Sequence, residues 1–198
     1  MKQFLFFTLI SLFVSATSFG QAEVNDDQIE NRGGIVYLNG KSEPYTGIVY
    51  SLYPNGIKRA QKNYVAGVLS GVYIEWHDNG NKKYEALYRD GMVSGAFTSY
   101  FKNGNKERTG AMQNNKKVGI FRSWYENGQM EQEATYVNGE LHGIRKYWFE
   151  GGAMEATENY ANGVEDGTWK WYTEEGCLEY EEYYDDGEFV DSKEYSCP

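Results

Sequence analysis

Apolar and polar positions alternate along this chain in short runs, and the runs recur every 24 residues. Val49, Tyr73, Phe97, Phe121 and Trp169 share one phase of the repeat. Tyr53, His77, Phe101, Tyr125 and Phe149 share a second, and Tyr64, Tyr88, Met112, Tyr136, Tyr160 and Tyr184 a third. Alternation over segments of about ten residues, rich in Tyr, Phe, Trp, Val and Ile, predicts half-buried β-strands.

Two dipeptide series punctuate the strands at the same step. One is Asn55-Gly56, Asn79-Gly80, Asn103-Gly104, Asn127-Gly128, Gly151-Gly152 and Glu175-Gly176. The other is Ala66-Gly67, Asp90-Gly91, Asn114-Asn115, Asn138-Gly139, Asn162-Gly163 and Asp186-Gly187. A third marker, Gly47, Gly71, Gly95, Gly119, Gly143 and Gly167, keeps the same phase. An insertion-free repeat of this length is one supersecondary unit stacked many times. Asn-Gly and Asp-Gly suit two-residue type I′ hairpin turns, which need positive φ at both central residues. Asn115 preserves that chemistry, because Asn enters the left-handed region more readily than most residues.

Turns at both ends of every segment predict an all-β fold: an elongated, twisted antiparallel meander of tandem 24-residue β-hairpins. Parallel pairing needs crossovers of a dozen or more residues, and none is evident. Pairing outward from Asn79-Gly80 sets Tyr73, Glu75 and His77 on one face with Lys82, Tyr84, Ala86 and Tyr88. Pairing from Asp90-Gly91 gives the same grouping and adds Phe97. This face is expected to be packed by neighbouring repeats.

One column falls on the opposite face: Leu52, Trp76, Tyr100, Trp124, Trp148 and Tyr172. It has two readings. Adjacent hairpins pack it across strands, with a bulge to rotate the rings inward. Otherwise it is an exposed aromatic stripe beside charged side chains, a binding surface formed by Trp76, Tyr100, Trp124, Trp148 and Tyr172.

Residues 1–20 read as a secretory signal peptide, with Lys2, an apolar run from Phe4 to Val14, and Ser18-Phe19-Gly20 before a cleavage point. The run is short for a transmembrane helix, and a retained signal anchor is the alternative. The expected destination is periplasmic or extracellular. Residues 21–34 read as an N-terminal linker, residues 35–190 as the repeat domain, and residues 191–198 as a tail.

The chain has a net charge of −10, unevenly spread. Residues 47–118 carry +6, residues 119–166 carry −6, and residues 167–198 carry −8. The basic frames would dock an acidic partner, or two copies would meet head to tail. An acidic chain without a nucleic-acid motif is not expected to bind nucleic acid. The spread of the basic charge makes a membrane surface a weak partner.

Two cysteines are present, Cys177 and Cys197. In an oxidising compartment they are expected to form a disulfide that ties the tail to the last hairpin. His77 stands in an aromatic column and reads as a packed ring, and neither it nor His142 has metal-ligand spacing. The acidic cluster Glu179, Glu181, Glu182, Asp185 and Asp186 lacks the EF-hand pattern. No nucleophile elbow, phosphate-cradling loop or zinc motif appears, so neither enzyme activity nor a cofactor or metal is expected.

The stretch YENGQMEQEATYVNGELHGIRKYWFEGG, from Tyr125, resembles the bacterial variant of the MORN repeat. Its outline is an aromatic pair, Asn-Gly, a strand ending in Tyr, Asn-Gly, and a connection to the next Gly. Six frames from Gly47 to about Val190 follow it, preceded by a degenerate unit, Ile35 to Gly47, with Tyr37, Asn39-Gly40 and Pro44-Tyr45-Thr46-Gly47. The resemblance implies a twisted antiparallel sheet that acts as a non-enzymatic scaffold for protein or membrane contacts. Many bacterial relatives are labelled as antitoxins, from which the apparent signal peptide of this chain departs. No catalytic residue is implied, only repeat positions such as Gly56, Tyr64, Gly67 and Gly71. The expected function is an exported, non-enzymatic protein-binding scaffold, with an antitoxin-like role as one form of it. The alternative is a binder of envelope glycans through the aromatic stripe.

Overall fold

The computed structural model describes residues 22–197, so the signal-peptide segment lies outside the described residues. The chain begins with β1 (Glu23–Asn25), a 3-10 turn (Asp26–Gln28), β2 (Ile29–Arg32) and β3 (Ile35–Leu38). The repeats then supply β4 (Gly47–Leu52), β5 (Lys58–Val65), β6 (Val68–Trp76), β7 (Lys82–Arg89), β8 (Met92–Tyr100) and β9 (Lys106–Gln113). They continue with β10 (Lys116–Trp124), β11 (Met130–Val137), β12 (Glu140–Leu141), β13 (Gly143–Trp148), β14 (Met154–Ala161) and β15 (Val164–Glu165). The last strands are β16 (Gly167–Tyr172), β17 (Leu178–Asp185) and β18 (Glu188–Glu194). From β4 onward each strand pairs with its successor in one antiparallel sheet, with β12 and β15 as short side pairings.

The register set by the first series is the expected one through the strand bodies, whereas pairing from the second series slips by two residues beside the frame glycine, so that Phe97 faces Ala86 rather than Tyr84 while the grouping by face is kept. Tyr73 faces Ala86, Glu75 faces Tyr84, and Ala86 faces Phe97. The turns differ from expectation in one series. Both central residues take positive φ only in the second series, as at Asp90 (φ 50°) and Gly91 (φ 80°), or Asn114 (φ 50°) and Asn115 (φ 61°). In the first series only the second residue has positive φ, as at Gly80 (φ 90°). There His77 N–H donates to Asn81 O at 2.8 Å and Gly80 N–H to His77 O at 3.0 Å. This is a three-residue loop, a tight turn closed by a left-handed glycine, which adds a bulge to the returning strand. The register accordingly shifts between Glu75 and Trp76, so that Trp76 faces Lys82.

The first-series asparagines have a second task. Asn79 Oδ1 accepts from Asn81 N–H at 3.1 Å, and its Nδ2 donates to Lys102 O at 2.8 Å. Asn55, Asn103 and Asn127 reach Asp78, Glu126 and Glu150 in the same way. On the other side of the sheet, Gly91 N–H donates to Leu69 O and Gly139 N–H to Lys117 O. Both rows of turns thus lock onto neighbouring frames, which is how a hairpin too small to be stable alone gains its fixed place.

The N-terminus corrects two expectations. Residues 21–34, expected as a linker, include β1, the 3-10 turn and β2. β1 runs parallel to β4, with Val24 opposite Val49. The segment from Asp26 to Thr46 supplies the long crossover that parallel pairing needs. β2 and β3 form a separate hairpin, and Val36, Tyr45 and Val49 are buried between it and the first frame. At the other end β18 extends to Glu194, into the expected tail. Cys177 and Cys197 are joined in a disulfide with Cα atoms 5.9 Å apart.

Candidate functional site

Strand alternation gives the sheet two faces of different character. On the first, large rings sit over small residues: Phe97 faces Gly110 and Phe121 faces Ala134, which is completely buried. Ring centroids lie 5.7 Å apart for Phe97 and Phe121, and 5.0 Å apart for Phe121 and Tyr136. Burial raises the phenols of Tyr73 and Tyr84 above the usual tyrosine range. Where the ring column has Arg145, the facing residue is Glu158, and the two make an ion pair at 3.7 Å.

The second face has three rows. The first is aliphatic: Val72 faces Leu87, Ala96 faces Ala111, and Ile120 and Ile144 follow in the next frames. Val72, Leu87, Ile120 and Ile144 are 47%, 44%, 47% and 50% exposed. The middle row is polar, with Arg122 paired to Glu133 at 2.7 Å and Lys170 to Glu181 at 2.8 Å. Glu85 belongs to it, held below the usual carboxylate range by the Lys82 ammonium and then by the Tyr100 hydroxyl.

The third row is the aromatic column. Trp76, Tyr100, Trp124, Trp148 and Tyr172 are all half-buried, and Leu52 is exposed. The bulges do not rotate these rings to the first face. The extra residue lies on the returning strand, Lys83 in the second frame, so Trp76 keeps the parity of Val72. Tyr100 hydrogen-bonds Glu85 at 2.9 Å, and the Lys106 ammonium stands 5.9 Å from the Trp124 ring centre. The backbone carbonyls of Trp76 and Trp148 accept from the hydroxyls of Tyr53 and Tyr125 at 2.8 Å. His77 fills the same place in its frame, its Nε2 2.8 Å from Tyr100 O. His142 lies between β12 and β13, where its backbone N–H donates to Thr135 O.

The five column residues therefore lie on one face, as the alternation implies. The aliphatic row beside them went unremarked in the sequence, although its signal is there. Ile48, Val72, Ala96, Ile120 and Ile144 each follow a frame glycine.

The family model of the MORN repeat variant matches residues 69–90, 117–138, 141–162 and 165–187. These four segments are repeats of that family. The intervening segment 93–114 continues the same hairpin register, with Thr98 opposite Thr109. No curated protein matches the chain.

Proposed function

We propose that this protein is an exported scaffold that binds another protein through the second face of its sheet. The uncovered aliphatic row carries the reading. Val72, Leu87, Ile120 and Ile144 form an apolar track with no second layer over it among the described residues. Adjacent half-buried rings flank the track across a row of charged pairs. An apolar centre with a polar margin is the usual make-up of a protein-binding patch. The disulfide supports export, because such bonds persist in oxidising compartments. A partner that is a toxin acting outside the cytoplasm would make the role antitoxin-like.

Affinity capture from the native envelope, with wild type and Ile120→Asp compared, tests the reading. Ile120 is half exposed, so the substitution leaves the fold intact. A partner retained by wild type and lost by the variant is expected. Equal capture by both proteins would remove this face as the binding surface. Fractionation with N-terminal sequencing of the mature chain tests export, and recovery of an uncleaved cytoplasmic protein refutes it.

A further inference from the structure

Because the repeats can be laid over one another, a residue that breaks its column stands out. Three such breaks converge on one place. Arg108 occupies the column of Ala60, Tyr84 and Ala156; Lys117 that of Leu69, Val93 and Leu141; and Arg145 that of Tyr73, Phe97 and Phe121. The sister residues show that the hairpin needs no cation at any of these positions. Yet all three line a single groove of about 360 Å³ on the first face, floored by Phe97, Phe121 and Ser123. The three cations share it with one carboxylate, Glu131.

Their side chains are differently held. The Arg122 side chain alternates to the second face, where it is matched by Glu133 at 2.7 Å. Arg145 is fixed by Glu158 at 3.7 Å, with the Tyr147 ring 4.6 Å from its guanidinium. With its amide oxygen turned toward Arg145, Gln132 accepts from Arg145 Nε at 2.9 Å. Arg108 is exposed, and the nearest carboxylate, on its neighbour Glu107, stays 3.9 Å away. Lys117 lies over the rings of Phe121 and Tyr136, 5.2 Å and 4.5 Å from their centres. Among the described residues no carboxylate pairs with Lys117. The groove thus presents two cations without a close anionic partner beside a pre-positioned guanidinium.

We propose that this groove binds an extended acidic segment of a protein partner. The groove lies on the face opposite the aliphatic track, so the inference goes beyond the reading above: it adds a second contact surface and names the chemistry that surface recognises. Arg108 and Arg145 stand on β9 and β13, three inter-strand gaps apart and one row offset, a span of roughly 15 Å. That is the reach of about four to five extended residues, so carboxylates four positions apart meet the two guanidinium groups together. Arg forks bind carboxylates bidentately, the Lys117 ammonium adds a point charge between them, and the half-buried rings take up the intervening apolar stems.

Fluorescence titration with a labelled decapeptide alternating Glu and Thr tests this, against a counterpart with Gln for Glu. Wild type is expected to bind the acidic peptide at least tenfold more tightly than the Gln peptide, and more weakly as salt rises. Arg108→Tyr with Lys117→Val restores the residues of the sister frames, and is expected to weaken binding at least tenfold. Arg108→Gln alone, at an exposed position, weakens it without altering packing, whereas Lys102→Gln in the same frame leaves it unchanged. Equal affinity for both peptides, no titration of the acidic one, or wild-type affinity in the double variant would overturn the proposal. Affinity capture separates the two levels. A partner kept by the double variant but lost by Ile120→Asp defeats the groove and leaves the scaffold reading standing.

Discussion

The side-chain amide of Asn79 donates to the main-chain carbonyl of Lys102, 2.8 Å away and one repeat further on. Its oxygen simultaneously closes the local turn by accepting from Asn81 N–H. One residue therefore shapes a hairpin loop and fastens that hairpin to the next. The arrangement recurs at Asn55, Asn103 and Asn127, and it stops where the column changes to Gly151 and Glu175.

Replacing a central member of this ladder should loosen two frames at once. Asn103→Ala loses the bonds to Asn105 N–H and to Glu126 O. A destabilisation of about 1–2 kcal/mol is expected from two modest hydrogen bonds. Urea unfolding measures it. Glu175→Ala, in a frame without the asparagine, serves as the neutral comparison.

Gly110 is small for a reason unrelated to its backbone. A Cβ there would stand 2.5 Å from the Phe121 ring. Gly110→Ala should therefore destabilise the sheet by about 1–3 kcal/mol through overpacking. Adding Phe121→Val, the residue type found at Val49, should recover much of the loss in the same denaturation assay. At Gly151 nothing lies within 4 Å, and Gly151→Ala should be close to neutral.

Acid should weaken the last frames through Glu181. Its carboxyl is pulled down to about 2 by the Lys170 ammonium and by the hydroxyls of Tyr195 and Tyr183. A carboxylate whose folded pKa is depressed stabilises the fold fully above its unfolded pKa, near 4.5. That contribution disappears as pH falls from there toward about 2. Wild type should exceed Glu181→Gln in urea midpoint at pH 7, with the gap closing between about pH 4.5 and about pH 2.

Reduction should act locally on the same end. The disulfide closes a loop of 20 residues around β17 and β18. Cys197→Ser should lower stability by about 3 kcal/mol on the chain-entropy account. Hydrogen exchange should accelerate in β18, which pairs with the sheet along one edge only, and remain unchanged in β6 to β9.

The meander, its 24-residue step, the register across the first-series turns and the grouping of side chains by face were fixed by local chemistry readable in the chain, whereas the two-residue slip beside each frame glycine was not. A two-residue period leaves each side chain one face to occupy, and left-handed-tolerant residues mark where the backbone reverses. The pairing of Tyr73 with Ala86 and the sharing of one face by Trp76, Tyr100 and Trp124 follow from that alone. What only the tertiary structure decided depends on contacts between frames. The first series makes a longer loop than the second, and it does so at Gly152 and Gly176 as at Gly80, so the asparagine fastens the loop to the next repeat without setting its length. β1 runs parallel because the segment after it is long enough to cross and bury Val36 and Tyr45 against Val49. The gathering of Arg108, Lys117 and Arg145 in one groove was equally hidden, since they come from three columns and three strands. Sequence periodicity reports what each strand repeats; convergence across strands is set by how neighbouring frames pack.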